Sequence, residues 1–240
     1  MIPLVYDQIN LYERDKNFFR QLLQQLEVKT LADVGCGTGR LTLAFAEDGY
    51  HITAIDPHEG AIAYAKKKVA AQPITWIVGD SRQLRTNTYD AVVMTANVAQ
   101  VFVTEESWHD VVADVFRALK PGGHFIFDTR NPLAKVWEQW MQDTTPDSAV
   151  DEVSGEPLDI WTHYEGTNGD VLTYIETVKR QRTGEVIAQE KSRLKFRTKQ
   201  VIEQALQQAG FVNITVYGDW TFTVATPQTQ SFIFHSVKGD

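Results

Sequence analysis

Three carboxylates and three alternating glycines carry the chemistry that is legible in this chain. Asp33 precedes Gly35-Cys36-Gly37-Thr38-Gly39, Asp56 closes the apolar run at 51–56, and Asp80 closes another at 74–80. Glycine at alternate positions removes the Cβ atoms that would hold a ligand off the backbone, and it permits positive φ in a tight turn. A helical pattern (Leu41, Leu43, Ala44, Phe45, Ala46) starts at once, so free N–H groups at its start face the loop. A nucleotide-like ligand suits such a loop. The spacing Gly-x-Gly-x-Gly departs from the Gly-x-Gly-x-x-Gly of dinucleotide enzymes, and Asp33 suits a ligand with a positive amine better than a pyrophosphate.

The elements that must position these groups follow in order. Asp56 lies about 20 residues beyond the loop, where a carboxylate can accept from both hydroxyls of a ribose. A turn or cap role before Pro57 is the competing reading. Pro57 opens a helix with Ala61, Ile62, Ala65 and Val69 on one face. Asp80 can accept from an adenine amine while a backbone N–H near Ser81 donates to a ring nitrogen; a helix cap is the alternative. A fourth strand, 89–97, ends in Ala96 and Asn97. Residues 107–119 read as a helix with a capping box at Ser107 and Asp110, stopped by Pro121-Gly122-Gly123, and 124–130 as a fifth strand. Open α/β sheets bind ligands at the C-terminal ends of such strands. Cys36 reads as a small loop filler, with no His or Asp pattern for thiol chemistry beside it.

Taken together, these segments resemble the class I S-adenosylmethionine-dependent methyltransferases of the small-molecule type. "LADVGCGTGR", "ITAID", "IVGDS", "YDAVVMTAN" and "FRALKPGGHFIFD" match that family's successive motifs over residues 31–128. The resemblance implies S-adenosyl-L-methionine as cofactor. It assigns Asp33, Gly35, Cys36, Gly37 and Gly39 to the methionine side, Asp56 with Pro57 to the ribose, Asp80 and Ser81 to the adenine, and Ala96 and Asn97 to the sulfonium. The fold it implies is α/β: a doubly wound, mostly parallel seven-stranded sheet with an antiparallel last strand. The family's Asn-Pro-Pro-Tyr-type sequence, found in enzymes acting on DNA bases or glutamine amides, is replaced here by "TANVAQ".

Outside the motifs, residues 10–26 read as a helix, with Leu11, Phe18, Phe19, Leu22, Leu23 and Leu26 at helical spacing. Residues 1–30 are expected to form a lid to which Tyr6 or Tyr12 belongs, unless these aromatics simply dock the helix. The core then comprises 31–130 and 198–240, and 131–197 an insertion. Within it, 133–141 looks helical, 143–157 is a polar loop, and 158–165, 171–182 and 185–197 form an antiparallel meander over the active site. Arg130, Asn97, His163 and Tyr164, with Tyr6, are the candidate substrate contacts. Packing is the competing role for Trp161, His163 and Tyr164. Lys191, Arg193, Lys195 and Arg197 alternate along the last run, so period two puts them on one face. That face is either solvated or an attraction site for an acidic or anionic substrate. A helix at 198–209 and strands at 212–217 and 231–237 close the chain.

With 240 residues and 43% hydrophobic content, the chain can bury a full α/β core as a monomer or homodimer. No apolar stretch is long enough to span a membrane, and the N-terminus lacks a signal-peptide pattern. One cysteine excludes an internal disulfide and fits the cytoplasm. A net charge of −8 argues against a broad nucleic-acid face. The expected activity is transfer of a methyl group to an oxygen or nitrogen of a small molecule by in-line displacement. The rivals are an NAD(P)-dependent oxidoreductase and a non-catalytic S-adenosylmethionine-binding protein; no metal and no definite general base is indicated.

Overall fold

In the computed structural model, which describes residues 1–68 and 74–239, eleven strands divide between two sheets. Strands β1 (Thr30–Val34), β2 (His51–Asp56), β3 (Ile74–Val78), β4 (Tyr89–Met94) and β5 (Leu119–Arg130) belong to the larger. Strands β6 (Asp147–Val150), β7 (Pro157–Asn168), β8 (Val171–Arg180) and β9 (Val186–Lys195) form the smaller, and β10 (Phe211–Gly218) and β11 (Ser231–Lys238) return to the first. The order is β10-β11-β5-β4-β1-β2-β3, with β11 antiparallel to β5 and β10 and the other pairings parallel. The expected mostly parallel sheet with an antiparallel last strand is therefore met, and β6-β7-β8-β9 is a wholly antiparallel second sheet.

Among the described residues, seven α-helices accompany the strands: α1 (Pro3–Ile9), α2 (Arg14–Gln24), α3 (Arg40–Glu47), α4 (Glu59–Lys67), α5 (Glu105–Ala118), α6 (Trp137–Trp140) and α7 (Lys199–Ala209). Successive side chains of a strand point to opposite faces, and the core divides accordingly. Val92, Met94, Phe125 and Phe127 pack with Trp108 and Val112 of α5 and Leu206 of α7. Ala91, Val93 and Ile126 pack on the other face with Phe19 of α2, Phe45 of α3 and Ile62 of α4. Both faces are covered, which is why these strands read as nearly continuous apolar runs.

Several boundaries differ from the sequence reading. The N-terminal segment is two helices, because Asn10 leaves helical geometry at φ −116°, ψ 60° and the chain re-enters only at Arg14. Tyr6 thus sits inside α1. Helix α5 begins earlier than residue 107: the Thr104 hydroxyl accepts from the Ser107 N–H at 3.1 Å, so Thr104 is the cap. The expected helix at 133–141 is a 3-10 turn (Pro132–Ala134) and the short α6, divided by Lys135 at φ 45°. The expected loop at 143–157 contains β6, which pairs along β7. Val69 lies outside the described residues. Among those described, no helix is long and apolar enough to cross a membrane.

Phe127 stacks on Phe234 with ring centroids 5.0 Å apart and meets Trp108 edge-on at 5.7 Å, all three fully buried. Phe127→Ala should lower unfolding free energy by about 3–5 kcal/mol, the range for an aromatic core truncation. Urea unfolding followed by tryptophan fluorescence measures it.

Candidate functional site

The glycine turn is shaped by its neighbours as much as by any ligand. Gly35 has φ 75°, and a Cβ there would stand 2.6 Å from Val98 Cγ1. Gly39 has φ 77°, and its Cβ would meet Trp76 Cη2 at 2.7 Å. Strand β2 holds the turn from the side. The Ile55 carbonyl accepts from the N–H groups of Gly35 and Cys36 at 2.8 and 3.2 Å. Asp56 Oδ2 accepts from the Gly37 N–H at 2.9 Å, and Oδ1 from the His58 N–H at 2.8 Å.

Turn, strand tips and second sheet border one cavity of about 820 Å³. Gly35, Cys36 and Gly37 line it from the turn, Asp56 and Pro57 from β2, and Asp80 and Ser81 from the end of β3. Ala96 and Asn97 line it from the end of β4 with φ of 54° and 63°, two consecutive left-handed residues without glycine's freedom. Such strain collects at functional sites. It is held in place by Asp128, whose Oδ2 accepts from the Asn97 N–H at 2.9 Å, while Asn97 Oδ1 is buried without a partner among the described residues. Tyr6 of α1, Arg130 of β5 and Tyr164 of β7 also border the cavity. Arg130 donates to Gln100 Oε1 at 2.7 Å, and its guanidinium lies 4.7 Å from the centre of the Trp140 ring.

Other sequence candidates are placed elsewhere. Asp33 does not border the cavity: it is buried in β1 and accepts from the Thr42 hydroxyl at 2.6 Å. Gly39 caps α3 away from the cavity lining. His163 is exposed and faces outward, because strand parity sends Thr162 and Tyr164 inward. The basic run is largely consumed by acids, with Lys191 against Glu165 at 2.7 Å and Lys195 against Asp170 at 3.0 Å. Arg197 lies beyond β9, buried over Trp108, and donates to the Phe102 carbonyl at 2.7 Å. The open cationic face is therefore corrected to a set of ion pairs in which Arg193 alone, among the described residues, has no acid within ion-pair reach. Asp80 borders the cavity but is chelated by Arg82, which holds its carboxyl below the usual range. The Ser81 hydroxyl turns away, donating to Asp114 at 2.7 Å.

Sequence reasoning passed over Tyr174, Glu176, Glu190 and Ser192, all of which border the cavity from β8 and β9. Only strand parity could have found them, once Thr162 was known to face inward. Nor did it give the contacts by which α1 is held beside the cavity. Thr38 of the turn donates to Asp7 at 2.5 Å, and Lys68 pairs with the same carboxylate. Gln8 bonds both the N–H and the carbonyl of Val150, each at 2.9 Å, joining α1 to the edge of β6.

Burial dominates the electrostatics. It pushes Asp33 up to about 7 against the opposing Thr42 hydrogen bond, and Asp128 up to about 7 against nearby Arg130. It also pushes up the Cys36 thiol, which keeps it protonated and fits a filler role. A carboxyl raised in the folded state stabilises while protonated, so its contribution is present near pH 4 and lost as pH rises through about 7. Asp128→Asn keeps an oxygen for the Asn97 N–H and removes that titration. Its melting temperature should fall less than that of the parent between pH 5 and 8, as read by thermal melts in matched buffers.

Residues 31–123 match the methyltransferase-domain family. YqeM of Bacillus subtilis (strain 168), a protein named as a methyltransferase, is 25% identical over 98% of this chain and 94% of its own. An S-adenosylmethionine-dependent methyltransferase from Clostridium acetobutylicum ATCC 824 superposes with a TM-score of 0.76 at 16% identity, covering 98% of this chain and 97% of the other. The sugar N-methyltransferase KedS8 from Streptoalloteichus sp ATCC 53650 gives 0.73 at 18%, covering 100% and 95%. At these identities the two structures speak for the fold. The family match over the motif-bearing half of the sheet and a strand order with antiparallel β11 beside β5 agree: residues 31–123 carry the methyltransferase-domain match, and the chain has the fold of these S-adenosylmethionine-dependent methyltransferases.

Proposed function

We propose that the protein moves the methyl group of S-adenosylmethionine to an oxygen or nitrogen of a small molecule, by in-line displacement within the cavity under the second sheet. The observation that carries this reading is that the cofactor-side residues and the inner face of β7–β9 border one and the same cavity. Its volume falls within the range of small-molecule sites. Residues 31–130 and 198–240 act as the cofactor-binding core, 131–197 as the substrate roof, and 1–30 as the closing segment.

The bare turn fits the cofactor. Gly35 and Gly37 bring backbone to the cavity wall, and a Cβ on Gly37 would meet only Met1 Cε, at 3.0 Å. Each Asp56 oxygen accepts one backbone N–H and keeps a lone pair for a ribose hydroxyl. Asp80 serves the adenine amine, in competition with Arg82, and the backbone at Ser81 a ring nitrogen. When bound, S-adenosylmethionine supplies an electrophilic methyl on a sulfonium whose departure leaves a neutral thioether. The protein's share is alignment and exclusion of water. A general base is needed only where the acceptor must lose a proton, and Asn97 can orient an acceptor without acting as one.

Calorimetry with S-adenosylhomocysteine tests the cofactor assignment. Asp56→Ala should weaken binding by about 1–3 kcal/mol, the range for bonds to a charged acceptor, and NADH should give no heat. Unchanged affinity would remove Asp56 from the site, and NADH binding would revive the oxidoreductase. Formation of S-adenosylhomocysteine only on adding an acceptor tests transfer itself. Tight binding with no turnover over a broad panel of small alcohols, amines and acids would favour the binding-only reading.

A further inference from the structure

The inner face of the roof carries acid that cofactor binding does not use. The strand registers place Thr162 opposite Glu176 and Glu176 opposite Glu190; the adjacent row is Tyr164, Tyr174 and Ser192. Both rows border the cavity, as does Asp147 of β6. Like charges directly opposite on one sheet face oppose folding. Among the described residues Glu176 has no side-chain partner within hydrogen-bond or ion-pair reach. Burial raises its carboxyl, with Glu190 and Asp147 adding and the Met1 amino group opposing. That amino group stands 2.5 Å from Glu190 Oε1, which leaves Glu176 as the carboxylate of this row open to a ligand.

A second feature points the same way from across the cavity. Tyr6 projects from α1 into the lining; burial pushes its phenol up, and among the described residues its hydroxyl has no hydrogen-bond partner. A phenol that borders the cavity without a protein partner is available to bond a ligand. The cation deepest in the cavity, Arg130, is already committed to Gln100 and to the face of Trp140. Arg193 of β9 also borders the cavity, but it stands on the strand parity opposite to Glu190 and Ser192 and is exposed. On the face that carries Glu176 and Glu190 the uncommitted charge is thus negative, flanked by the aromatic rings of Tyr164 and Tyr174, which suit a cation.

We propose that the methyl acceptor is a small molecule bearing a protonated amine, which Glu176 and Glu190 hold against the tyrosines of the roof. This rests on reading the cavity as the methyl-transfer site. The test is calorimetry on the full chain loaded with S-adenosylhomocysteine, using three probes of similar size: 2-phenylethylamine, its N-acetyl amide and 3-phenylpropionate. The amine is expected to bind at least tenfold more tightly than the other two. Glu176→Gln with Glu190→Gln should abolish at least tenfold of that preference while leaving S-adenosylhomocysteine affinity unchanged, which also shows that the variant folds. Absence of amine binding, equal or tighter binding of the carboxylate, or an undiminished preference in the double variant overturns the proposal. Failure of S-adenosylhomocysteine to bind the parent protein is a different outcome, and it sinks the cofactor assignment beneath the proposal.

Discussion

Asp56 spans the gap between two segments that the chain must bring together. It ends β2, yet its Oδ2 accepts from the Gly37 N–H in the turn after β1, and its Oδ1 turns back to the N–H of His58 before α4. Bonds to an ionised acceptor contribute about 1.5–3 kcal/mol each, so this one side chain fixes both the turn and the entry to the next helix. The turn has little freedom to answer otherwise. Val98 presses on Gly35 from the end of β4, and the Ile55 carbonyl takes two of the turn's N–H groups. The cavity floor is therefore set by packing and backbone hydrogen bonds before any ligand arrives.

The roof is joined to this floor by the end of β9, where Lys195 pairs with Glu105, and by α1, which makes contacts of unequal strength. The Asp7–Lys68 pair is partly exposed, and such pairs contribute about 0–1 kcal/mol. The apolar side does more. Ile2 and Val5 bury themselves with Leu158, Ile160 and Val178 of the second sheet, and full burial of one such side chain contributes about 1.5–3 kcal/mol. Gln8 then satisfies both backbone groups of Val150 on the edge of β6. Helix α1 consequently belongs to the roof by its apolar face and to the glycine turn by Asp7. A motion that opens the cavity along this seam would break the polar contacts first.

The parallel core was legible because its central strands are buried on both faces and β1, β2 and β3 run into a glycine or an acid, a pattern that survives without knowing the partners. The glycine turn, Asp56 and Asp80 were found at the cavity for that reason. Elements whose identity depends on what covers them were not. Residues 143–157 have the composition of a loop, and β6 within them exists because β7 offers an edge. Pro3 permits α1, but seven residues cannot hold a helix in water alone; the second sheet supplies the reason. His163 and Tyr164 are neighbours in sequence and opposites in space, since parity fixes their relation but not which of them faces inward. Asp33 lies off the cavity because an acid two residues before a glycine turn can face the ligand or the helix that follows, and Thr42 draws it to α3.

Charge explains why buried acids are tolerated behind this cavity. Asp33 and Asp128 each keep one oxygen without a partner, and each is held near neutrality by burial. An uncompensated buried charge is costly, so an acid whose pKa lies near ambient pH avoids most of that cost by carrying a proton. Each also does structural work that an apolar residue could not: Asp33 anchors Thr42 at the start of α3, and Asp128 pins the strained backbone of Asn97. A cation entering from the cavity side favours the ionised form of both, since opposite charge lowers a carboxyl's pKa. The carboxylates that do border the cavity, Asp56, Asp80, Glu176 and Glu190, suit a sulfonium better than a pyrophosphate, and they make a polyanionic occupant electrostatically unfavourable.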